Sequence, residues 1–144
     1  MTLTDLNHLM IAKSRPITPV KLFDEAFEKV GLSKSDQELI EYIRYMGTFD
    51  QVRLKQSLKL KQKPPALSIL CEICRKLGDY MPEHFSAVRK WSKEISEHGV
   101  CWDGDLICSV AFNIDGLRLT PESGTTQYHT FAVHKELFQG FSIT

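Results

Sequence analysis

Four cysteines are the first residues in this chain whose type and spacing could do chemistry. Cys71 and Cys74 form a C-x-x-C pair, and Cys101 and Cys108 follow. Four thiolates are the number that a structural zinc ion takes. The spacing argues against it. Cys71 and Cys74 fall on the apolar side of an expected helix, without the glycine-bearing turn of a zinc knuckle. The second pair is six residues apart, and both members fall on the core face of an expected sheet. A cysteine that is not a ligand packs as a small hydrophobe. Four buried thiols are therefore expected, with zinc at Cys71, Cys74, Cys101 and Cys108 as the weaker alternative.

The other reactive types are scattered. Cys101 could pair with His98 or His129 as a nucleophile and base, but no oxyanion-hole glycine pattern surrounds it. His8, His84 and His134 have no catalytic neighbour in sequence. Asp103 and Asp105 flank Gly104, and Asp115 precedes Gly116; clustered carboxylates can hold a cation or move protons. Each is also what a tight turn favours, because a short polar side chain tolerates turn geometry. No phosphate-binding glycine loop, nucleophile elbow or zincin helix is present. The expectation is a non-enzymatic protein with no cofactor and no small-molecule substrate.

Charge is the feature with most to say. The 144 residues are neutral overall, but residues 1–50 carry net −2, residues 51–100 net +5 and residues 101–144 net −3. Arg53, Lys55, Lys59, Lys61 and Lys63 occur without an acidic residue between them. On a helix Lys55, Lys59 and Lys63 make one stripe; on a strand the lysines share a face with Arg53. Arg75, Lys76, Arg89 and Lys90 extend the basic field, with Lys93 beyond them. Such a field suits phosphate contact on duplex DNA, by electrostatic docking with counterion release. The competing expectation is a protein partner, reached by an adaptor or an inhibitor of the mobile-element or host-defence type. Tyr80, Trp102, Tyr128, Phe138 and Phe141 would meet that partner, since aromatic residues enrich interface centres.

The elements that must position these residues follow from hydrophobic period and punctuation. A chain of this length buries about two-thirds of its unfolded surface, enough for a single domain without staples. Residues 3–12 suit a short helix. Thr18-Pro19 starts a helix carrying Leu22, Phe23, Ala26, Phe27 and Val30, closed by Gly31. Ser35-Asp-Gln-Glu38 reads as a capping box before Leu39, Ile40, Ile43 and Met46. Residues 48–63 have both periods; Thr48-x-x-Gln51 and the scarcity of β-branched residues favour a helix from Phe49. Pro64-Pro65 opens a helix ending at Gly78, and Pro82 opens another ending at Gly99. On the latter, Lys90–Glu94 and Lys93–Glu97 are spaced for ion pairs.

After Gly99 the period changes to two. Asp103-Gly104 and Asp115-Gly116 read as hairpin turns, the first pairing Cys101 with Leu106. The strand between them would turn Leu106, Cys108 and Val110 inward and Ile107 and Ser109 outward, leaving Trp102 off the core. Residues 128–133 suit a fourth strand and residues 134–138 a short helix. The fold class expected is α+β in one domain, residues 1–144. About five helices occupy residues 1–98, and an antiparallel meander of three or four strands packs on them from residues 99–144. Helices followed by a hairpin is also the element order of a winged helix. No apolar run approaches the about 18 residues that span a bilayer. Residues 1–11 lack the basic start and apolar middle of a signal peptide. No membrane association and a cytoplasmic location are expected.

Overall fold

The computed structural model describes residues 15–50, 52, 54, 66–96, 99–110 and 131–140. Helix α1, Val20–Lys29, and helix α2, Lys34–Met46, come first. Strand β1, Thr48–Phe49, follows. Then come α3, Ala66–Tyr80, and α4, Pro82–Ile95. A 3₁₀ turn, Asp103–Leu106, leads into β2, Cys108–Val110. Strand β3, Phe131–Val133, and a second 3₁₀ turn, Lys135–Leu137, complete the described elements. The architecture is mixed and mainly helical, with a small antiparallel sheet.

Among the described residues there are four α-helices where about five are expected. Two starts also differ. Thr18 caps nothing; Pro19 precedes α1, and the Thr18 hydroxyl bonds His84 instead. Helix α2 begins before the capping box, with Ser33 accepting the Asp36 N–H at 3.1 Å.

The larger correction concerns the sheet. Thr48 and Phe49 form a strand that pairs with residues 131–132, so the expected helix does not start at Phe49, although Val52 and Leu54 just beyond are helical and the Leu54 N–H bonds the Asp50 carbonyl. The strand order is β1-β3-β2, so β3 is central and every pairing is antiparallel. Phe49 lies opposite Phe131, and Thr48 opposite Ala132. The alternation expected of a half-buried sheet is obeyed, with Phe131 and Val133 buried and Ala132 exposed.

Asp103-Gly104 makes a 3₁₀ turn, not a hairpin. The Asp105 N–H bonds the Trp102 carbonyl and the Ile107 N–H bonds the Gly104 carbonyl. The physical reason is burial: Trp102, Leu106, Ile107 and Cys108 all enter the core. A straight strand would turn alternate members to water; a turn lets consecutive side chains face inward. Trp102 is 4% exposed, with its ring centroid 5.7 Å from that of Phe131.

Helices α3 and α4 are joined by Met81 alone. Their close approach depends on Gly78, which lies inside α3 and does not end it. A Cβ there would overlap the Phe85 ring. Gly78→Ala should therefore destabilise by about 1–3 kcal/mol through overpacking, outweighing the about 1 kcal/mol that alanine gains in a helix interior. Urea denaturation checks the sign; a stabilised variant would contradict the packing argument.

The two ends of the described chain are fastened by two arginines, Arg15 half-buried and Arg44 buried. Arg15 makes a bidentate pair with Glu136 at 2.6 and 2.8 Å, and the Thr18 N–H bonds the same carboxylate. Arg44 donates from Nε to the Leu137 carbonyl and from a terminal nitrogen to Asp24, each at 2.9 Å. Its guanidinium lies 4.9 Å from the centre of the Phe23 ring. None of the helices among the described residues is long and apolar enough to cross a membrane.

Candidate functional site

Two arginines from successive helices meet at one carboxylate. Arg75 on α3 donates from Nε to Asp103 at 2.8 Å. Arg89 on α4 donates from Nε at 3.0 Å and from a terminal nitrogen at 3.3 Å. Arg89 is further steadied by the Phe85 ring, 4.3 Å below its guanidinium. Both arginine side chains remain about half exposed, while Asp103 is 13% exposed. Partial burial pushes the Asp103 carboxyl up, but Arg89 and Arg75 outweigh it and hold it below its ordinary range. The two cations are thus presented at the rim by a largely buried anion.

The rest of the basic field is thinner than the sequence suggests. Lys76 faces Asp36 of α2 at 3.9 Å, and Lys90 lies on the exposed side of α4. Residues 66–95 carry five basic and four acidic groups, so their net charge is only +1. The +5 of the middle third therefore resides in Arg53, Lys55, Lys59, Lys61 and Lys63, all outside the described residues.

The aromatic candidates divide. Trp102 is core and cannot meet a partner. Tyr80 is half-buried, and its hydroxyl is engaged by Glu25 of α1. Phe138 is 48% exposed, beside Tyr45 and Met46 at 53% and 47%. Its ring lies close over Gly47 and Gly140, where a Cβ at either position would overlap it. Tyr128 and Phe141 lie outside the described residues.

The four cysteines form no disulfide. Among the described residues no group of three or more His, Cys, Asp or Glu side chains is arranged to hold a metal ion. Cys74 and Cys108 are buried, and Cys71 and Cys101 are half-buried. Burial, helped by the neighbouring Cys71, pushes the Cys74 thiol well above its ordinary value. Cys101 is raised too, by burial first and by Asp103 second. Thiols held protonated are poor nucleophiles and poor ligands.

A buried polar network lies beneath the arginine pair. Asp105 is fully buried and takes the Ser92 hydroxyl at 2.5 Å and the Ser109 hydroxyl at 3.0 Å. Ser92 in turn accepts the Trp102 N–H at 2.8 Å. The His134 ring donates from Nε2 to the Asp105 carbonyl. Sequence reasoning did not find this network. Its one signal was Ser92, a polar residue in the apolar stripe of Val88, Trp91 and Ile95. Asp115, His8, His98 and His129 fall outside the described residues, and His84 bonds Thr18 at 3.0 Å. No protein-family model, curated protein or solved structure matches this chain.

Proposed function

We propose that this chain is a small non-enzymatic regulatory protein, working in the cytoplasm, that docks on duplex DNA through its phosphates. The observation that carries the reading is the convergence of two half-exposed arginines, Arg75 and Arg89, on the one carboxylate of Asp103. Arginine's planar fork suits a phosphate's paired oxygens, and here two forks are pre-positioned by packed helices. The Arg53–Lys63 segment supplies the net charge that α3 and α4 lack, with Lys76 and Lys90 assisting. The winged-helix likeness belongs to this proposal: α3 and α4 would be its helices, while the hairpin expected at Asp115-Gly116 lies outside the described residues.

The test is duplex binding followed against salt. Replacing Lys55, Lys59 and Lys63 together by alanine should weaken binding and make the salt slope shallower by about 0.9 for each phosphate that the variant no longer neutralises. An unchanged slope, or no binding of the wild type at low salt, overturns the reading.

One observation favours a second reading, the protein-binding adaptor or inhibitor. Tyr45, Met46 and Phe138 leave three large apolar side chains exposed around Gly47 and Gly140. Aromatic residues and methionine are enriched in interface cores, and lysine is depleted there. Loss of a protein partner in Tyr45→Ala/Phe138→Ala, with DNA binding intact, would select this reading.

A further inference from the structure

We propose that Asp103 is a built-in attenuator of a phosphodiester seat made by Arg75 and Arg89. The inference deepens the nucleic-acid reading and rests on it. Each guanidinium has five N–H donors. Asp103 engages one donor of Arg75 and two of Arg89. Arg75 keeps both terminal amino groups clear of acceptors among the described residues, on a side chain 53% exposed. Its remaining donors are therefore open to an anion arriving from solvent, and no existing bond has to break first.

Asp103 then does two things that pull in opposite directions. It fixes the two guanidiniums side by side, which lowers the ordering needed when a phosphate binds. It also cancels one of their two charges from within hydrogen-bond distance, which weakens the attraction. Position and charge can be largely separated: with its amide oxygen in the Oδ2 place, asparagine still accepts from both Arg75 and Arg89, losing the charge and only the Arg89 Nε bond at Oδ1. The packing also explains why a carboxylate stands there. Asp103 opens the 3₁₀ turn that α3 and α4 enclose, so the arginines tether the turn as the turn aligns the arginines.

The ligand class follows from the geometry. The terminal N–H groups that Asp103 leaves unused on two half-exposed guanidiniums suit the paired oxygens of a single phosphodiester, a planar recognition that a lone ammonium cannot supply.

The experiment is anisotropy of a fluorescein-labelled DNA duplex with the full chain at several salt concentrations. Asp103→Asn should bind about fivefold tighter at low salt, the effect of removing one like charge about 4 Å from a phosphate through water. Its salt slope should steepen by about 0.9. Asp103→Glu should behave as the wild type. Adding Arg75→Gln to Asp103→Asn should abolish the gain. If Asp103→Asn does not fold, Arg75→Gln alone decides: about a twofold loss fits an attenuated seat, and a loss of about tenfold overturns it. A folded Asp103→Asn that binds no tighter than wild type overturns the attenuator and leaves the nucleic-acid reading standing. Wild type and Asp103→Asn both failing to bind would overturn the two together.

Discussion

Phe131→Ala should lower the unfolding free energy by about 4 kcal/mol, measured by urea denaturation with tryptophan fluorescence. Phe131 is fully buried in the central strand. Its ring stacks on Phe49 at 5.2 Å with 11° between planes, and meets Trp102 at 5.7 Å. Truncation removes the transfer energy of a buried aromatic and leaves a void between three elements, which typically costs about 3–5 kcal/mol. Two aromatic pairs, each contributing about 0.5–1.5 kcal/mol beyond area, disappear with it. Out of a total stability of about 5–15 kcal/mol, the variant would stand near its unfolding threshold. Ala132→Thr is the control, since residue 132 faces solvent on the same strand. A loss below about 1.5 kcal/mol for Phe131→Ala would mean that this stack does not anchor the sheet.

That stack also explains what could be read from the sequence and what could not. Helices α1 to α4 were legible because each carries an apolar stripe at helical spacing between glycine or proline markers. The sheet was legible as a class but not in its order. Its described strands are two or three residues long, and β1 pairs with a strand far along the chain, Thr48 with Ala132 and Phe49 with Phe131. Nothing local in Thr48-Phe49 signals a partner at residues 131–132, so the Thr48-x-x-Gln51 pattern pointed to a helix.

Trp102 was misplaced by the same mechanism. A period-two pattern assigned it to the outer face, because the assignment assumes an unbroken strand. The 3₁₀ turn at Asp103–Leu106 breaks the alternation and brings Trp102 and Ile107 inside. Asp103 and Asp105 do lie in a turn, though a 3₁₀ turn and not the expected hairpin, and their second roles were invisible. Asp103 acquires Arg75 and Arg89, and Asp105 acquires Ser92, only once three elements are packed. The candidate site had a similar limit: the arginines could be named from composition, but their convergence on a shared anion depends on tertiary structure.

His134 should make the protein acid-sensitive, and the direction follows from its surroundings. The ring is 6% exposed and donates to the Asp105 carbonyl, with the Trp91 ring edge-on at 6.5 Å. Burial, and then the positive charge of Arg15, push its pKa down from 6.5 to about 4. Glu136 acts in the opposite sense and His84 in the same one, but burial prevails. In the unfolded chain the imidazole takes a proton near pH 6.5, which the folded state refuses until about pH 4. The contribution of His134 to stability should therefore be full above pH 6.5, fall as pH drops through that window, and level off below about pH 4. The loss is about 3 kcal/mol, at about 1.4 kcal/mol per pH unit.

Glu136 adds a second window at lower pH. Burial pushes its carboxyl up, but the bidentate pair with Arg15 and the Thr18 N–H bring it from 4.5 down to about 2. The stabilisation it contributes is present above pH 4.5 and is lost as pH falls towards 2. The two groups are separable. His134→Gln retains a donor for the Asp105 carbonyl but does not titrate, so it should flatten the upper window only. Glu136→Gln should flatten the lower window only. A wild-type stability that stays constant from pH 6.5 to 4 would show that His134 is protonated in the fold, and its tie to Asp105 would then need another description. Acid would act first on the joint between the second 3₁₀ turn and the buried Asp105 network, which lies directly beneath the arginine pair. On the proposed DNA-docking reading, loss of duplex affinity should accompany this transition in the wild type and shift to lower pH in His134→Gln.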